Sequence, residues 1–245
     1  MCKILIADDE LVTVKKIFNN IVERNSNIRL VGITNDGKEV LKCMENNTPD
    51  ILLLDLMMPK MNGIEVLDKL IAEKDRFLSK TKIIIISSYI EKLYSSNKYR
   101  EFIYGLLPKP YDLDKLMQLI DNVDDNIKEN NIRKYINNEL KKFNFNNETE
   151  GYRYLEETIY EILYNDKIKF ELEKDIYIKV AKSNHKNPLQ IKWVIDKIIN
   201  TMYINTKYDI IKEYFDFREY KKITSKVFIK HIVENYKNDG KKHCI

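Results

Sequence analysis

Ile51-Leu52-Leu53-Leu54-Asp55-Leu56-Met57-Met58-Pro59-Lys60-Met61-Asn62-Gly63 is an aliphatic run that ends in a carboxylate and then breaks into a loop marked by proline and glycine. An unbroken apolar run of this length, closed by turn residues, predicts a strand buried on both faces, as in a parallel sheet covered by helices. Outward from it, similar runs occur at Lys3–Ala7, Leu30–Thr34, Lys82–Ser87 and Tyr104–Leu107, separated by helix-period segments. One such segment carries Leu11, Val14, Ile17, Phe18 and Ile21, expected to form a single apolar stripe against the sheet. Alternating strands and amphipathic helices predict an α/β, (βα)5 doubly wound domain.

After Pro110 the strand-like runs largely stop and helical periodicity continues to the end, so the second half is expected to be all-α. The transition lies near residues 120–130, and the chain is divided here into 1–124 and 125–245. The polar stretch Asn144–Glu150 interrupts the helical pattern, but no Pro/Gly/Ser-rich linker and no internal repeat is seen.

At 245 residues the chain is long enough for two cores, and its 44% apolar content is ordinary for globular domains. No apolar run reaches the roughly 20 residues of a membrane span, and the acidic turn in MCKILIADDE is unlike a signal peptide, so a cytoplasmic protein without membrane partners is expected. Cys2, Cys43 and Cys244 are far apart, and His185, His231 and His243 lack partners at triad or metal-cage spacing. Disulfide, zinc and histidine-based hydrolytic chemistry are therefore not indicated. The formal charge of +4 is unevenly spread: residues 1–124 hold 18 Lys/Arg against 19 Asp/Glu, residues 179–245 hold 15 against 7. A neutral front and basic rear suit a sensor joined to a polyanion binder, although a lysine-rich composition alone gives the same asymmetry.

Ligands of open α/β sheets bind at the carboxyl ends of the strands. There the first strand runs into Asp8-Asp9-Glu10, the third into Asp55, the fourth into Ser87-Ser88 and the fifth into Lys109-Pro110. Taken singly, these residues suit helix caps, a strand end and a solvated lysine. Together they supply what transfer of a phosphoryl group to an aspartate requires: carboxylates to hold Mg2+, one carboxylate nucleophile, and a hydroxyl and an ammonium for the phosphoryl oxygens. A phosphatase that uses an aspartate nucleophile with a second acid two residues later is disfavoured. That position is Met57, which cannot protonate a leaving group.

The set Ile6-Ala7-Asp8-Asp9-Glu10, Leu54 to Gly63, Ile86-Ser87-Ser88 and Lys109-Pro110-Tyr111 resembles the receiver domain of two-component response regulators. The resemblance implies a non-enzymatic regulator with Asp55 as phosphoacceptor, charged by a histidine kinase or phosphotransfer protein. It implies Mg2+ held by Asp8, Asp9, Asp55 and the backbone carbonyl of Met57, and Ser87 and Lys109 closing on the phosphoryl group. It also implies a cis Lys109-Pro110 bond. Two positions depart from the family pattern: Leu106 replaces the usual aromatic three residues before the lysine, and Phe102-Ile103 replaces the Gly-Ala pair expected before the fifth strand. Switching is accordingly expected to rest more on Ser87 and backbone movement.

In the second half, Phe170–Tyr203 is predicted to be helix, turn, helix, with the turn at Ser183–Asn187 and Pro188 at the first position of the next helix. Ile191, Val194, Ile195, Ile198, Ile199 and Met202 should form its apolar face. Gln190, Lys192, Trp193, Asp196, Lys197 and Asn200, with Lys186 before them, are left as candidate duplex-DNA contacts. A helical hairpin with a solvated polar face fits the same segment. Gly151-Tyr152-Arg153-Tyr154-Leu155, Ile159, Tyr164-Asn165-Asp166, Ile178 to Lys182 and Pro188–Tyr203 resemble the effector domain of the stage 0 sporulation protein A family. That implies six helices, the first at Ile127–Phe143, and a DNA-binding regulator that dimerises when phosphorylated. Gln190, Lys192, Trp193 and Asp196 stand where the family carries arginines and a glutamate, so a different operator is expected. The alternative is a receiver whose helical output grips protein and not DNA.

Overall fold

The computed structural model describes residues 1–24, 27–94, 97–165, 175–215 and 222–242. They fall into two compact units, Met1–Ile127 and Lys128–Ile245. In the first unit the strands are β1 (Cys2–Ala7), β2 (Ile28–Thr34), β3 (Ile51–Leu54), β4 (Lys82–Ser87) and β5 (Ile103–Pro108). The helices are α1 (Leu11–Arg24), α2 (Gly37–Asn47), α3 (Gly63–Ala72), α4 (Lys74–Phe77), α5 (Glu91–Tyr94) and the start of α6 (Leu113–Lys141). All strand pairs are parallel, in the order β2-β1-β3-β4-β5.

Side chains alternate across a strand, so each aliphatic run feeds two cores. Leu5, Leu52, Leu54, Ile83 and Ile85 face one layer with Val40, Leu67 and Leu70. Ile4, Ile6, Ile51, Leu53, Ile84 and Ile86 face the other, with Val14, Ile17, Leu116 and Ile120. The stripe on α1 is narrower than its sequence suggests: Val14, Ile17 and Ile21 are buried, whereas Leu11 is 66% and Phe18 38% exposed. β5 starts one residue earlier than read, so Ile103 belongs to the strand and only Phe102 precedes it.

The second unit holds the end of α6 with α7 (Glu150–Tyr164), α8 (Tyr177–Ser183), α9 (Pro188–Asn205), α10 (Tyr208–Tyr214) and α11 (Ser225–Lys242). No strand is found among its described residues. The expected helix Ile127–Phe143 is instead the latter part of the 29-residue α6: no glycine or proline stops the chain between 113 and 141, and the Asp and Asn residues at 121–126 lie inside the helix. Ile132, Ile136 and Leu140 of α6 join Leu155, Ile159, Ile195, Ile199 and Ile232 in one core. Phe143 closes it edge-on against Phe228, ring centroids 5.0 Å apart. Gly151 lets α7 approach α9: a Cβ there would lie 3.1 Å from Ile198 Cβ and 3.3 Å from the Val194 carbonyl oxygen. Among the described residues, no helix is long and apolar enough to cross a membrane.

Candidate functional site

The sheet order reverses between β1 and β3, the place where open α/β sheets form their ligand crevice. Register brings the ends of these strands side by side, Ala7 opposite Leu54, and Asp55 N–H donates to the Ala7 carbonyl at 2.8 Å. Asp8 and Asp55 are thereby held almost fully buried, at 4% and 5% exposure, with Asp9 exposed beside them. One carboxylate oxygen from each of the three lies within 4.8 Å of the others. Lys109, delivered by β5 and the cis Lys109-Pro110 bond, donates from Nζ to Asp8 Oδ2 at 2.7 Å and to Asp55 Oδ2 at 2.6 Å.

These charges perturb one another. Burial raises the Asp8 carboxyl above its ordinary range, more than the Lys109 hydrogen bond lowers it. Burial acts to lower the Lys109 ammonium, but hydrogen bonds to Asp55 and Asp8 outweigh it and hold the group above its ordinary value. The Tyr111 phenol is also pushed up by burial, with Asp8 adding to the effect. The Cys2 thiol, driven up to about 12 by burial, supplies no thiolate near neutral pH.

The loop after β3 is fixed in detail. Met57 N–H donates to Asp55 Oδ1 at 3.1 Å, while its side chain stands 50% exposed at the rim. Asn62 and Glu65 form a reciprocal capping box at the start of α3. Gly63 has no room for a side chain: an added Cβ would sit 2.3 Å from the Asp55 carbonyl oxygen and 2.7 Å from Leu56 Cα. Ser87 is fully buried, and its Oγ accepts from Tyr89 N–H at 3.3 Å.

Two supports were not apparent in the sequence. Asp36 caps α2 and pairs at 3.1 Å with Lys60, which bends the loop at φ 62. Asp68 on α3 accepts from Lys98 Nζ at 2.5 Å and from Tyr99 Oη at 3.0 Å, tying the segment before β5 to α3. Their partners lie 24 to 31 residues apart, with no local motif to announce them.

In the second unit, α8, a short turn and α9 follow the predicted order, and Phe170–Lys174 of that prediction lie outside the described residues, as do Asp166, His243 and Cys244. His185 at φ 53 turns the chain, with Lys186 N–H donating back to the Ala181 carbonyl at 2.9 Å. Gln190, Trp193, Lys197 and Asn200 are exposed, and Lys192 and Asp196 are half-buried. Val194 is half-buried, packed against the core without joining its fully buried face. The Gln190 amide oxygen accepts from Asn187 N–H in a capping box, leaving its amine end outward. Trp193 is 63% exposed, with Lys197 Nζ 5.3 Å above its ring. Lys186 pairs with Glu150 at 3.6 Å.

Residues 4–121 match the response regulator receiver domain family, and residues 136–236 match the family described as sporulation initiation factor Spo0A C terminal. A five-stranded parallel sheet with this acidic cluster defines the first unit as a response regulator receiver domain. With its second match, the chain belongs to the Spo0A-like response regulators. The chain is 30% identical over 121 residues to the "Probable transcriptional regulator ycf29" of Pyropia yezoensis, covering 49% of this chain and 52% of the relative. It is 35% identical over 91 residues to transcriptional regulatory protein YdfI of Bacillus subtilis, covering 37% and 40%. The chain thus spans about half or less of these relatives. The solved Francisella response regulator 1452 receiver domain is 27% identical, with a TM-score of 0.43, covering 50% of this chain and 96% of that one.

Proposed function

We propose that this chain is a transcription regulator switched by phosphorylation of Asp55 and acting through duplex DNA. The observation that carries the reading is the Lys109 ammonium bridging Asp8 and Asp55 at a strand-end crevice, with Asp9 alongside. A carboxylate oxygen of Asp55 attacks the phosphorus of a phosphohistidine on a kinase or phosphotransfer protein. The P–N bond breaks, the imidazole takes a proton, and an acyl phosphate forms. Lys109 neutralises charge on the transferred group, and Ser87 reaches it by releasing Tyr89 N–H.

Hard oxygen donors this close suit Mg2+, with Asp8, Asp9, Asp55 and the Met57 carbonyl as its protein ligands. When bound, that ion offsets negative charge on the phosphoryl oxygens. On the effector side, the helix-turn-helix with Lys186, Gln190, Lys192, Trp193, Asp196, Lys197 and Asn200 on or beside α9 supports insertion into a major groove. Phosphorylation is then read out as dimerisation on paired half-sites. The changed residues at Gln190, Lys192, Trp193 and Asp196 favour an operator unlike the sporulation family's box, which footprinting on both sequences tests.

The decisive experiment is phosphotransfer to the full chain and to Asp55→Ala, followed by recovery of genomic DNA fragments. Labelling and fragment enrichment should both require Asp55. Labelling without any salt-sensitive duplex binding would favour a helical output that grips protein. Failure with every donor would remove the regulatory reading.

A further inference from the structure

We propose that Leu189 and Trp193 form an apolar pair on α9 that selects A·T base pairs in the major groove through contact with the C5 methyl of thymine. It rests on the DNA-binding reading above and deepens it by naming what the helix recognises. Positions four apart share one side of a helix. The exposed residues Leu189, Trp193, Lys197 and Asn200 follow that spacing along α9 and make one outward stripe. Its first two members are apolar, Leu189 at 74% exposure and Trp193 at 63%. The second helix of a helix-turn-helix presents its N-terminal residues to base edges, so this pair leads into the groove.

The start of α9 holds these side chains in place. Pro188 occupies the first helical position, and Leu189 N–H donates to Asn187 Oδ1 at 2.8 Å. Gln190 turns its amide oxygen back to accept from Asn187 N–H at 3.2 Å, which leaves Leu189 as the leading side chain. One turn on, the Lys197 ammonium lies 5.3 Å above the Trp193 ring and restrains it. The surrounding charge has the sign a duplex needs: residues 179–197 hold five lysines and one acid, Asp196. Glu161 and Glu150 of α7 pair with Lys179 and Lys186, and Glu157 accepts from the Asn184 amide, so the balance is reduced but stays positive.

Leucine carries no hydrogen-bonding group, and tryptophan carries a single donor. Base edges in the major groove present donors and acceptors, with the thymine methyl as their apolar feature. Leucine set against a donor or acceptor would leave that group unsatisfied. Against a methyl, it removes apolar surface from water on both sides. An apolar pair four residues apart also supports a helix by itself, a role that is indifferent to the bases.

The test uses the full chain, loaded with a small-molecule phosphodonor, and a footprinted duplex in which thymines are replaced one at a time by deoxyuridine. That change removes the methyl and keeps the hydrogen-bonding edge. At the contacted base pairs it should weaken binding by about fourfold per methyl. Leu189→Gln, whose unbranched side chain suits a helix, should bind the thymine and deoxyuridine duplexes alike at one such position, and Trp193→Gln at another. Both should keep the parent's thermal midpoint, and its salt slope, because a methyl contact releases no counterion. Any effect of deoxyuridine on duplex shape persists in the variants, so lost discrimination reports the contact itself. A parent that binds duplex but ignores the methyl, or variants that keep full discrimination, would overturn this inference, leave the pair to helix support or a protein partner, and spare the DNA reading. A parent that binds no duplex removes both.

Discussion

Replacing Asp8 with asparagine should make the receiver unit more stable and unable to take a phosphoryl group. Asp8 is 4% exposed, and one of its oxygens lies within 4.8 Å of oxygens on Asp9 and Asp55. At an effective dielectric of about 20, unit charges 4.8 Å apart repel by roughly 3.5 kcal/mol, whereas Lys109 at 2.7 Å attracts by roughly 6 kcal/mol. Repulsion from Asp55 offsets part of the attraction, and the burial of an ionised carboxylate outweighs the hydrogen bonds from Lys109 and Glu10 N–H that favour it, so its pKa is raised. A folded-state pKa above the unfolded one means stability that is fully present below the unfolded value and lost as pH rises through the folded value. At neutral pH the parent has lost it, and asparagine, which still accepts from Lys109, restores it. The expected gain is about 1 to 2 kcal/mol without divalent metal, and it should shrink as pH falls toward the ordinary carboxylate value near 3.8 and vanish below it. Denaturant melts of the full chain at several pH values, with and without Mg2+, measure this. Mg2+ should raise the parent's stability and leave the variant's little changed. A variant less stable than the parent at neutral pH without metal would show that the Lys109 pairing dominates, and would refute the reasoning.

Gly63→Ala should destabilise the first unit by about 1 to 3 kcal/mol and slow phosphotransfer, because the new Cβ meets Asp55 and Leu56 backbone, which cannot give way as a side-chain tip could; denaturation and labelling rates check both effects. Tyr99→Phe removes the hydroxyl donor to Asp68 and should cost about 1 kcal/mol in a denaturant melt, with Lys98 still paired to Asp68. Gln190→Glu keeps an acceptor for Asn187 N–H and adds a charge the helix dipole favours, so the melt should hold while duplex affinity falls; equal affinity would place Gln190 outside the DNA contacts.

The parallel strands were legible because a strand buried on both faces must be aliphatic throughout, and Ile51–Leu54 and Lys82–Ser87 begin and end as read. The acidic crevice was legible for a related reason: polar residues at the carboxyl ends of such strands can only gather at one edge of the sheet. Phe18 and Leu11 misled, since periodicity places a residue on a face without showing whether a neighbouring layer reaches that far. The length of α6 was hidden because Leu116 and Ile120 serve one core and Ile132 and Ile136 another, so no single stripe runs its length. The pairs Asp36–Lys60 and Asp68–Lys98 depend on how loops fold back, which residue spacing does not encode.

At the receiver crevice, three carboxylates gather around one ammonium, an arrangement short of positive charge that a divalent cation would complete. That excess does not stabilise the isolated fold, since like charges held together raise its energy. It instead stores a bias toward a ligand of opposite sign. That is why Asp8→Asn, which relieves charge repulsion, is expected to preserve or strengthen the fold while abolishing phosphotransfer.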